Sequence, residues 1–340
     1  MADHTKIEWT DATWNIITGC SVVSAGCKHC YAMKLAGTRL QHHPSRAGLT
    51  IDTAAGPVWN GQVRFNNEWL DQPLRWCRPR RIFVCAHGDL FHEAVPDEWL
   101  DTVFSVIETA RHHTFQILTK RADRMRRWVS KQDRLLREMG YPQGFAGRFP
   151  HVHLGTSIED QPTANARIVD LLQTPAAVRW VSAEPLLEPV DLTRLPEDTC
   201  ASECCGMQRL NALTGQSMCD LSQQEFDKNA HIDWVVVGGE SGTNARPMHP
   251  DWVRSLRDQC AAAGVAFLFK QWGEFGPGEN GHRVPLKKWL EIPNGTAVAR
   301  RVRLFGDEAI EGHQLMAKVG KRASGRLLDG IEHNGYPEAS

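Results

Sequence analysis

The stretch DWVVVGGE, residues 233–240, indicates the fold class of this 340-residue chain. Its apolar residues follow one another without a polar interruption, and two glycines and a glutamate come directly after them. Continuous apolar runs of this length are typical of strands that are buried on both faces of a parallel sheet. Further runs of the same kind are RIFVCAHGD (81–89), FQILTKR (115–121), HVHLGTS (151–157), VRWVSAE (178–184) and VAFLFKQ (265–271).

Helical patterns lie between these runs. Apolar residues recur at helical spacing over residues 97–113, 122–140, 161–174 and 249–264, and the last segment closes on a glycine, a common helix end. Alternating strands and helices predict βαβ units with right-handed crossovers. We therefore expect an α/β fold, a partial (β/α) barrel of about six units, with a doubly wound open sheet as the alternative.

Composition limits the class of protein. The chain is 41% hydrophobic and 23% charged with a net charge of −1, which is ordinary for a globular protein and does not suggest general polyanion binding. It has no apolar run long enough to cross a membrane and no apolar N-terminal segment, so we expect a cytoplasmic protein without a membrane partner. Ten cysteines in a reducing compartment indicate metal or thiol chemistry rather than disulfides.

The strands end in groups that can do chemistry. Because the carboxyl ends of barrel strands form one face, where active sites lie, these groups are candidate site residues. Lys270 and Glu240 are the candidate catalytic groups. Cations that could contact an anionic group are Lys120, Arg121, Arg246 and Lys270; for Arg121 we favour a surface salt bridge, and for Trp272 we favour packing over stacking on a base.

A second feature is TGCSVVSAGCKHCYA, residues 18–32, with cysteines spaced C-x6-C-x2-C. A structural zinc site requires four ligands, and only Cys27 and Cys30 form a close pair. A cubane iron–sulfur cluster takes one thiolate per iron, so three cysteines would leave one iron open for a substrate or cofactor. Both interpretations, and three unrelated buried cysteines, are compatible with the spacing.

Two segments fall outside the strand–helix repeat. Residues 192–232 form an insertion with Cys200, Cys204, Cys205 and Cys219, for which we favour ordinary thiols over a second metal. The residues after 290 form a basic extension. The predicted organisation is a barrel over 1–290, interrupted by the insertion, and an extension over 291–340.

Blocks of sequence along most of the chain resemble phage "three-Cys-motif" proteins, a family similar to radical S-adenosylmethionine (SAM) enzymes. They are WTDATWN, GCSVVSAGCKHCYA, HGDLF, ILTKR, LGTSIED, SAEPLL, DWVVVGGESG, ARPMHPDWVRSLRDQC, FKQWGE and GKRASGRLLDG. The commonest radical SAM spacing is C-x3-C-x2-C, and the first gap here is longer by three residues.

The resemblance implies a radical SAM-type partial (β/α)6 barrel with a [4Fe–4S] cluster and SAM as cofactors. Cys20, Cys27 and Cys30 would bind three irons, and SAM would chelate the fourth. By position in the barrel, Asp89 would accept from the SAM ammonium group. The positions expected to contact its ribose or carboxylate are Ser157, Ser182 and Glu184.

Phage relatives of this kind point to hypermodification of thymidine, which protects viral DNA from host restriction. The specific expectation is an isomerase that converts Nα-glycyl-thymidine to Cα-glycyl-thymidine, in DNA or as a nucleotide. Its electron donor would be flavodoxin- or ferredoxin-like, and its location the host cytoplasm if the gene is phage-encoded. The alternatives are another radical SAM nucleotide modification, a photoproduct-lyase-like repair enzyme, and a non-catalytic zinc-containing nucleic-acid-binding protein.

Overall fold

The computed structural model describes residues 5, 7–197, 208–219, 225–227, 230–293, 300–301 and 313–337. Its central feature is a curled parallel sheet of seven strands that forms a half-barrel. In chain order the strands are β1 (Ala12–Trp14), β2 (Arg81–Val84), β3 (Thr114–Thr119), β4 (Val152–Ile158), β5 (Val178–Ala183), β6 (Trp234–Gly238) and β7 (Ala266–Gln271). Neighbours in the sheet are neighbours in the chain. The α/β prediction is confirmed, and the doubly wound alternative is wrong, because such a sheet reverses its strand order.

The first strand, β1, was not among the six runs read from the sequence. It is three residues long and pairs in parallel with β2, so that Ala12 lies opposite Ile82 and Trp14 opposite Val84. Both Ala12 and Trp14 are fully buried. A three-residue strand is too short to show either continuous or alternating apolar character, so the sequence pattern does not reveal it.

The helices are α1 (Tyr31–Ala36), α2 (Asp97–Thr109), α3 (Ala122–Glu138), α4 (Gly144–Arg148), α5 (Gln161–Leu172), α6 (Pro250–Ala263) and α7 (Lys321–Ser324). Four of them, α2, α3, α5 and α6, follow the predicted segments closely, and the three short ones were not predicted. Helix α2 buries Leu100, Val103, Phe104 and Ile107, the apolar positions of its helical pattern. Helix α6 ends on Gly264, which adopts the left-handed conformation expected of a terminating glycine.

The chain forms two compact units. One consists of Met1–Ser157 with Gln173–Trp180, and the other of Ile158–Leu172 with Val181–Ala339. The first unit holds β1 to β4, apart from Ile158, and the first half of β5. The second unit holds Ile158, the rest of β5, β6 and β7. No helix among the described residues has the length and apolar character needed to cross a membrane.

The insertion over 192–232 contains a small antiparallel sheet. Its strands are Leu195–Glu197, Gln208–Asn211, Gln216–Cys219 and Glu225–Asp227, paired in chain order. Cys219 ends the third of these strands. Cys200, Cys204 and Cys205 lie outside the described residues, so the choice between thiols and a second metal stays a prediction.

A second antiparallel sheet follows β7. Its strands are Phe275–Pro277, Trp289–Pro293, Arg300–Arg301 and His313–Lys318. A boundary at residue 290 therefore falls inside a strand, and the sheet begins soon after β7 ends. A C-terminal hairpin of Leu327–Leu328 and Ile331–Glu332 packs against the residues after β7, since Trp272 Nε1 donates to the carbonyl of Leu327 at 2.9 Å. Trp272 is buried, as the packing interpretation expected.

Candidate functional site

The cysteine loop is attached at both ends to the residues that follow β2. At its start, the amide of Gly19 donates to the carbonyl of His87 at 3.2 Å. At its end, Tyr31 Oη donates to the carbonyl of Ala86 at 2.7 Å, and the Tyr31 ring lies edge-on to the His87 ring. The loop from Cys20 to Cys30 is therefore held beside the carboxyl end of β2, the strand next to the edge of the sheet.

Gly19 is required by this attachment. Its φ of 95° lies in the region that favours glycine. A Cβ placed there would lie 2.2 Å from the carbonyl oxygen of Gln62. The chain can pass between Gln62 and the end of β2 only because this residue has no side chain.

The three loop cysteines are unpaired and half-buried. Cys20 and Cys30 pack against a small apolar cluster that includes Met33 and Trp59. Burial raises the pKa of the Cys20 thiol to about 12 and also raises the pKa of Cys30, although amide groups at the start of α1 and Lys120 oppose the second shift. Without a metal these two thiols are protonated, and binding a metal would release their protons.

The number of cysteine ligands in the loop bears on the kind of metal it could bind. Among the residues that the structure describes, no three His, Cys, Asp or Glu side chains are placed to share one metal ion. The ligands of a zinc ion all meet at one point, with Zn–S bonds of about 2.3 Å. In a cubane cluster each thiolate binds its own iron, so the sulfurs stand farther apart. Three thiolates are the donor set of a cubane with one open iron, and a structural zinc ion would need a fourth ligand beside them.

Arg121 contacts this loop, and the expectation of a surface salt bridge is wrong. Its side chain is only 4% exposed, and its NH1 donates to Asp89 Oδ2 at 2.9 Å and to Cys20 Sγ at 3.6 Å. Burial alone would lower the pKa of Arg121, but Asp89, Cys20 and Glu93 raise it above its usual value. The residue is buried because β2 and β3 are adjacent and parallel, which brings the groups after them together.

Asp89 is the second buried charge of the site. Its Oδ1 accepts from the amide of Phe91 at 3.0 Å and from Thr119 Oγ1 at 2.7 Å. Its Oδ2 accepts from the amide of Lys120 at 3.2 Å and from Arg121. A carboxylate has about four acceptor sites, and all are occupied. Asp89 therefore ties the end of β2 to the end of β3, and the predicted contact to a SAM ammonium group would need one of these bonds to be exchanged.

The long gap between Cys20 and Cys27 begins with an anchored residue. Ser21 Oγ accepts from Arg121 NH2 at 2.6 Å and lies 3.0 Å from His92 Nε2. The amide of Ala94 donates to His92 Nδ1, so Nε2 carries the proton and donates to Ser21. Sequence reasoning missed Ser21 and His92, because their pairing joins residues 71 positions apart.

The rest of the gap turns back toward the cysteine pair. Val22 and Val23 are exposed, and a short 3₁₀ turn over Ala25–Cys27 follows. Ser24 precedes this turn, and its Oγ lies 3.9 Å from Cys27 Sγ. The additional residues of the gap thus supply one polar anchor at each end of the segment between the cysteines.

In the second unit, two of the predicted residues contact each other. Lys270 Nζ donates to Oε1 and Oε2 of Glu184, at 2.8 Å each, and Gln271 Nε2 donates to Oε1 at 3.3 Å. Glu184 directly follows β5, and Lys270 lies in β7. Because its charge is already paired, Lys270 is poorly placed to bind a phosphate on its own.

Glu240 and Arg246 form another ion pair of this unit. The carboxylate of Glu240 is buried and accepts from the amide, Nε and NH2 of Arg246, at 2.8, 2.9 and 2.5 Å. These contacts close the loop that follows β6 and neutralise Arg246. Both residues were predicted as site residues, and in the structure each is the main partner of the other.

The two predicted serines are buried in strands. Ser157 lies near the end of β4 in the first unit, and Ser182 lies near the end of β5 in the second. Their assignment to ribose or carboxylate contacts stays a prediction.

A family model described as "Protein of unknown function (DUF5131)" matches residues 4–337. The chain belongs to this family. No curated protein and no solved structure gives a significant match. The match covers residues of both units, including the cysteine loop and Arg121.

Proposed function

We propose that this DUF5131 protein is a radical SAM enzyme that modifies a nucleobase of phage DNA. The supporting observation is the loop from Cys20 to Cys30, with three unpaired thiols fixed beside the end of β2 and a buried guanidinium in contact with one of them. In this proposal the three cysteines bind a [4Fe–4S] cluster, and the open iron accepts SAM. When bound, these cofactors supply a 5′-deoxyadenosyl radical that takes a hydrogen atom from the substrate.

The chain's own residues would hold and insulate the cofactors. Cys20 and Cys30 lie against apolar side chains, which limits the access of water to the thiolates. Arg121 and Lys120 provide positive charge near Cys20 and Cys30, where the thiolates would be negative. These cations lower the electrostatic cost of gathering several thiolates at a buried site. A flavodoxin- or ferredoxin-like protein is the proposed electron donor.

The proposed reaction is the isomerisation of Nα-glycyl-thymidine to Cα-glycyl-thymidine. The bond between the thymine methylene carbon and the glycine nitrogen breaks, and a bond from that methylene to the glycine α-carbon forms. One hydrogen moves from the α-carbon to nitrogen, so atoms and net oxidation state are unchanged. In polymeric DNA the modified base would have to leave the stack to react. Resemblance to a family, rather than a residue that recognises glycine or thymine, is what supports this choice.

The other predicted residues also have proposed roles in this reaction. Lys270 is the proposed group that holds a proton near the amino group of the substrate. In the structure it donates to the Glu184 carboxylate. Glu240 is the other proposed catalytic group, and its bonds to Arg246 would have to open for it to act. Ser157, Ser182 and Glu184 are the proposed contacts to SAM.

The test is anaerobic purification followed by assays of iron, sulfide and zinc. We expect a brown protein with about four irons per chain that forms 5′-deoxyadenosine from SAM and a reductant. Cys27→Ala should lose the cluster and this activity, while Cys77→Ala, at an exposed cysteine away from the loop, should keep both. Modified thymidines must be separated by retention or fragmentation as well as mass, since isomers have equal mass. A colourless protein with stoichiometric zinc and no iron would overturn the proposal.

A further inference from the structure

We infer that Arg121 is a positioning residue that fixes Cys20 and raises the reduction potential of an iron–sulfur cluster bound by the cysteine loop. The inference rests on the proposed function, since it concerns a cluster on Cys20, Cys27 and Cys30. It concerns how readily the cluster takes up an electron, which the identity of its ligands does not determine.

The guanidinium of Arg121 joins the loop to two carboxylates. On the loop side, NH1 donates to Cys20 Sγ at 3.6 Å and NH2 donates to Ser21 Oγ at 2.6 Å. On the other side, NH1 donates to Asp89 Oδ2 at 2.9 Å and Nε donates to Glu93 Oε2 at 2.8 Å. A guanidinium is planar, so four contacts to one group fix the direction of its N–H bonds. The two loop residues it holds are consecutive, and the first of them is a proposed iron ligand.

The supports of Arg121 are themselves fixed. Asp89 is buried and is held by Thr119 and by two backbone amides. Ser21 receives a second hydrogen bond, from His92. Glu93 is the exposed member, since 64% of its side chain faces solvent. The position of the Cys20 sulfur is thus determined by hydrogen bonds to residues that follow β2 and β3, and not by the loop alone.

The charge and the hydrogen bond of Arg121 both raise the reduction potential of the cluster. Reduction adds negative charge to a cluster, and hydrogen bonds to its sulfurs stabilise the reduced state. The positive charge of Arg121 acts in the same sense, and it also offsets the negative charge of Asp89 near Cys20. Removing the guanidinium would therefore delete one donor to sulfur and leave Asp89 unopposed. Both changes make the cluster harder to reduce.

The experiment compares reconstituted wild-type protein with Arg121→Met, Arg121→Lys and Ser21→Ala. Arg127→Met is the matched control, because Arg127 lies on α3 and makes an exposed ion pair with Asp123. Iron and sulfide content are measured first. The reduction midpoint is then measured by an anaerobic dye-mediated titration, with the electron paramagnetic resonance signal of the reduced cluster as the readout.

We expect Arg121→Met to reduce the equilibrium constant for one-electron uptake by at least tenfold, which corresponds to about 59 mV in the negative direction. Arg121→Lys retains the charge but not the planar guanidinium with its several N–H donors. Its midpoint shift should therefore be smaller, and its electron paramagnetic resonance signal should be altered. Ser21→Ala retains the donor to Cys20, so its midpoint should stay near that of the wild type, as should that of Arg127→Met.

Each result decides the inference. An Arg121→Met protein with full cluster content and an unchanged midpoint would overturn it. If Arg121→Met does not retain a cluster, Arg121→Lys is the variant that tests the inference. Its reduction midpoint and its paramagnetic resonance signal must differ from those of the wild type, and unchanged values would overturn the inference. Wild-type protein that takes up no cluster would refute the proposed function as well, and the iron and sulfide assay shows this before any potential is measured.

Discussion

Lys270 Nζ lies 2.8 Å from both carboxylate oxygens of Glu184, although the two residues are 86 positions apart. Neither is fully buried, with 14% and 23% of the side chains exposed. Gln271 gives the carboxylate a further donor. Two residues predicted separately, one to contact a cofactor and one to act in catalysis, thus form a single charged pair, and a change in either one must affect the other.

The first prediction follows from this pair. Lys270→Met leaves Glu184 without its main donor, and Glu184→Gln leaves Lys270 without a counter-charge, so each should reduce the free energy of unfolding by about 1–3 kcal/mol. The double variant should lose less than the sum of the two, because it leaves no unpaired charge. Urea denaturation of the four proteins measures the coupling. Lys288→Met, at an exposed lysine, is the control, and strictly additive losses would show that the pair is not coupled.

The second prediction concerns Asp89. In Asp89→Asn an NH2 group replaces one acceptor oxygen, so it faces donors from the backbone and from Arg121. We expect a loss of about 1.5–3 kcal/mol in unfolding free energy, the range for hydrogen bonds to a charged group. Asp123→Asn removes an exposed ion pair and the acidic group of the first turn of α3, and should change stability by roughly 1 kcal/mol or less. Equal effects of the two substitutions in chemical denaturation would contradict the buried network.

The sequence revealed most of the sheet because six of its strands carry continuous apolar runs. The edge strand Ala12–Trp14 is too short for its pattern to be read, and its place depends on pairing with Arg81–Val84, far along the chain. The limits of the four longer helices were predicted within a few residues, since apolar spacing and a terminal glycine mark them locally, whereas the short helices α1, α4 and α7 are too brief to show such spacing.

Less of the candidate site could be predicted. The loop cysteines and Asp89 were found from local motifs, whereas the burial of Arg121 depends on what covers it. A Thr-Lys-Arg sequence after a strand looks solvent-exposed, and only the fold places Ser21 and Glu93 over the guanidinium. The pairing of Glu184 with Lys270 is equally non-local. Opposite charges after the neighbouring strands β2 and β3 were the one sequence signal that could have suggested the Asp89–Arg121 pair.

The third prediction tests the attachment of the cysteine loop. Gly19→Ala adds a Cβ that would lie 2.2 Å from a backbone oxygen, at a φ of 95°. Gly48→Ala provides the match, because Gly48 also has a positive φ of 78° but has open space where the Cβ would lie. Both variants should lose about 1–2 kcal/mol from the backbone conformation, and Gly19→Ala should lose more and bind less iron on reconstitution. Similar denaturation midpoints and iron contents for the two variants would contradict the close passage at Gly19.

The fourth prediction concerns the response of stability to pH. Burial lowers the pKa of His153 to about 4, with the neighbouring His151 acting in the same direction. An unfolded histidine has a pKa near 6.5, so between about pH 6.5 and 4 the unfolded chain binds a proton at this position that the folded chain does not. Stability from this residue is therefore fully present above about pH 6.5 and is lost as the pH falls toward 4.

The measurement is the free energy of unfolding of wild type and His153→Gln, by urea denaturation at several pH values. Within the window the wild-type curve should be steeper by up to about 1.4 kcal/mol per pH unit, the slope for one proton. Comparing slopes rather than absolute values removes the cost of altering a buried side chain, because that cost is the same at every pH. Other groups that titrate in the window, including His87 with its pKa lowered to about 4, are present in both proteins and cancel. Parallel curves for the two proteins would mean that His153 takes up its proton in the folded chain as readily as in the unfolded one.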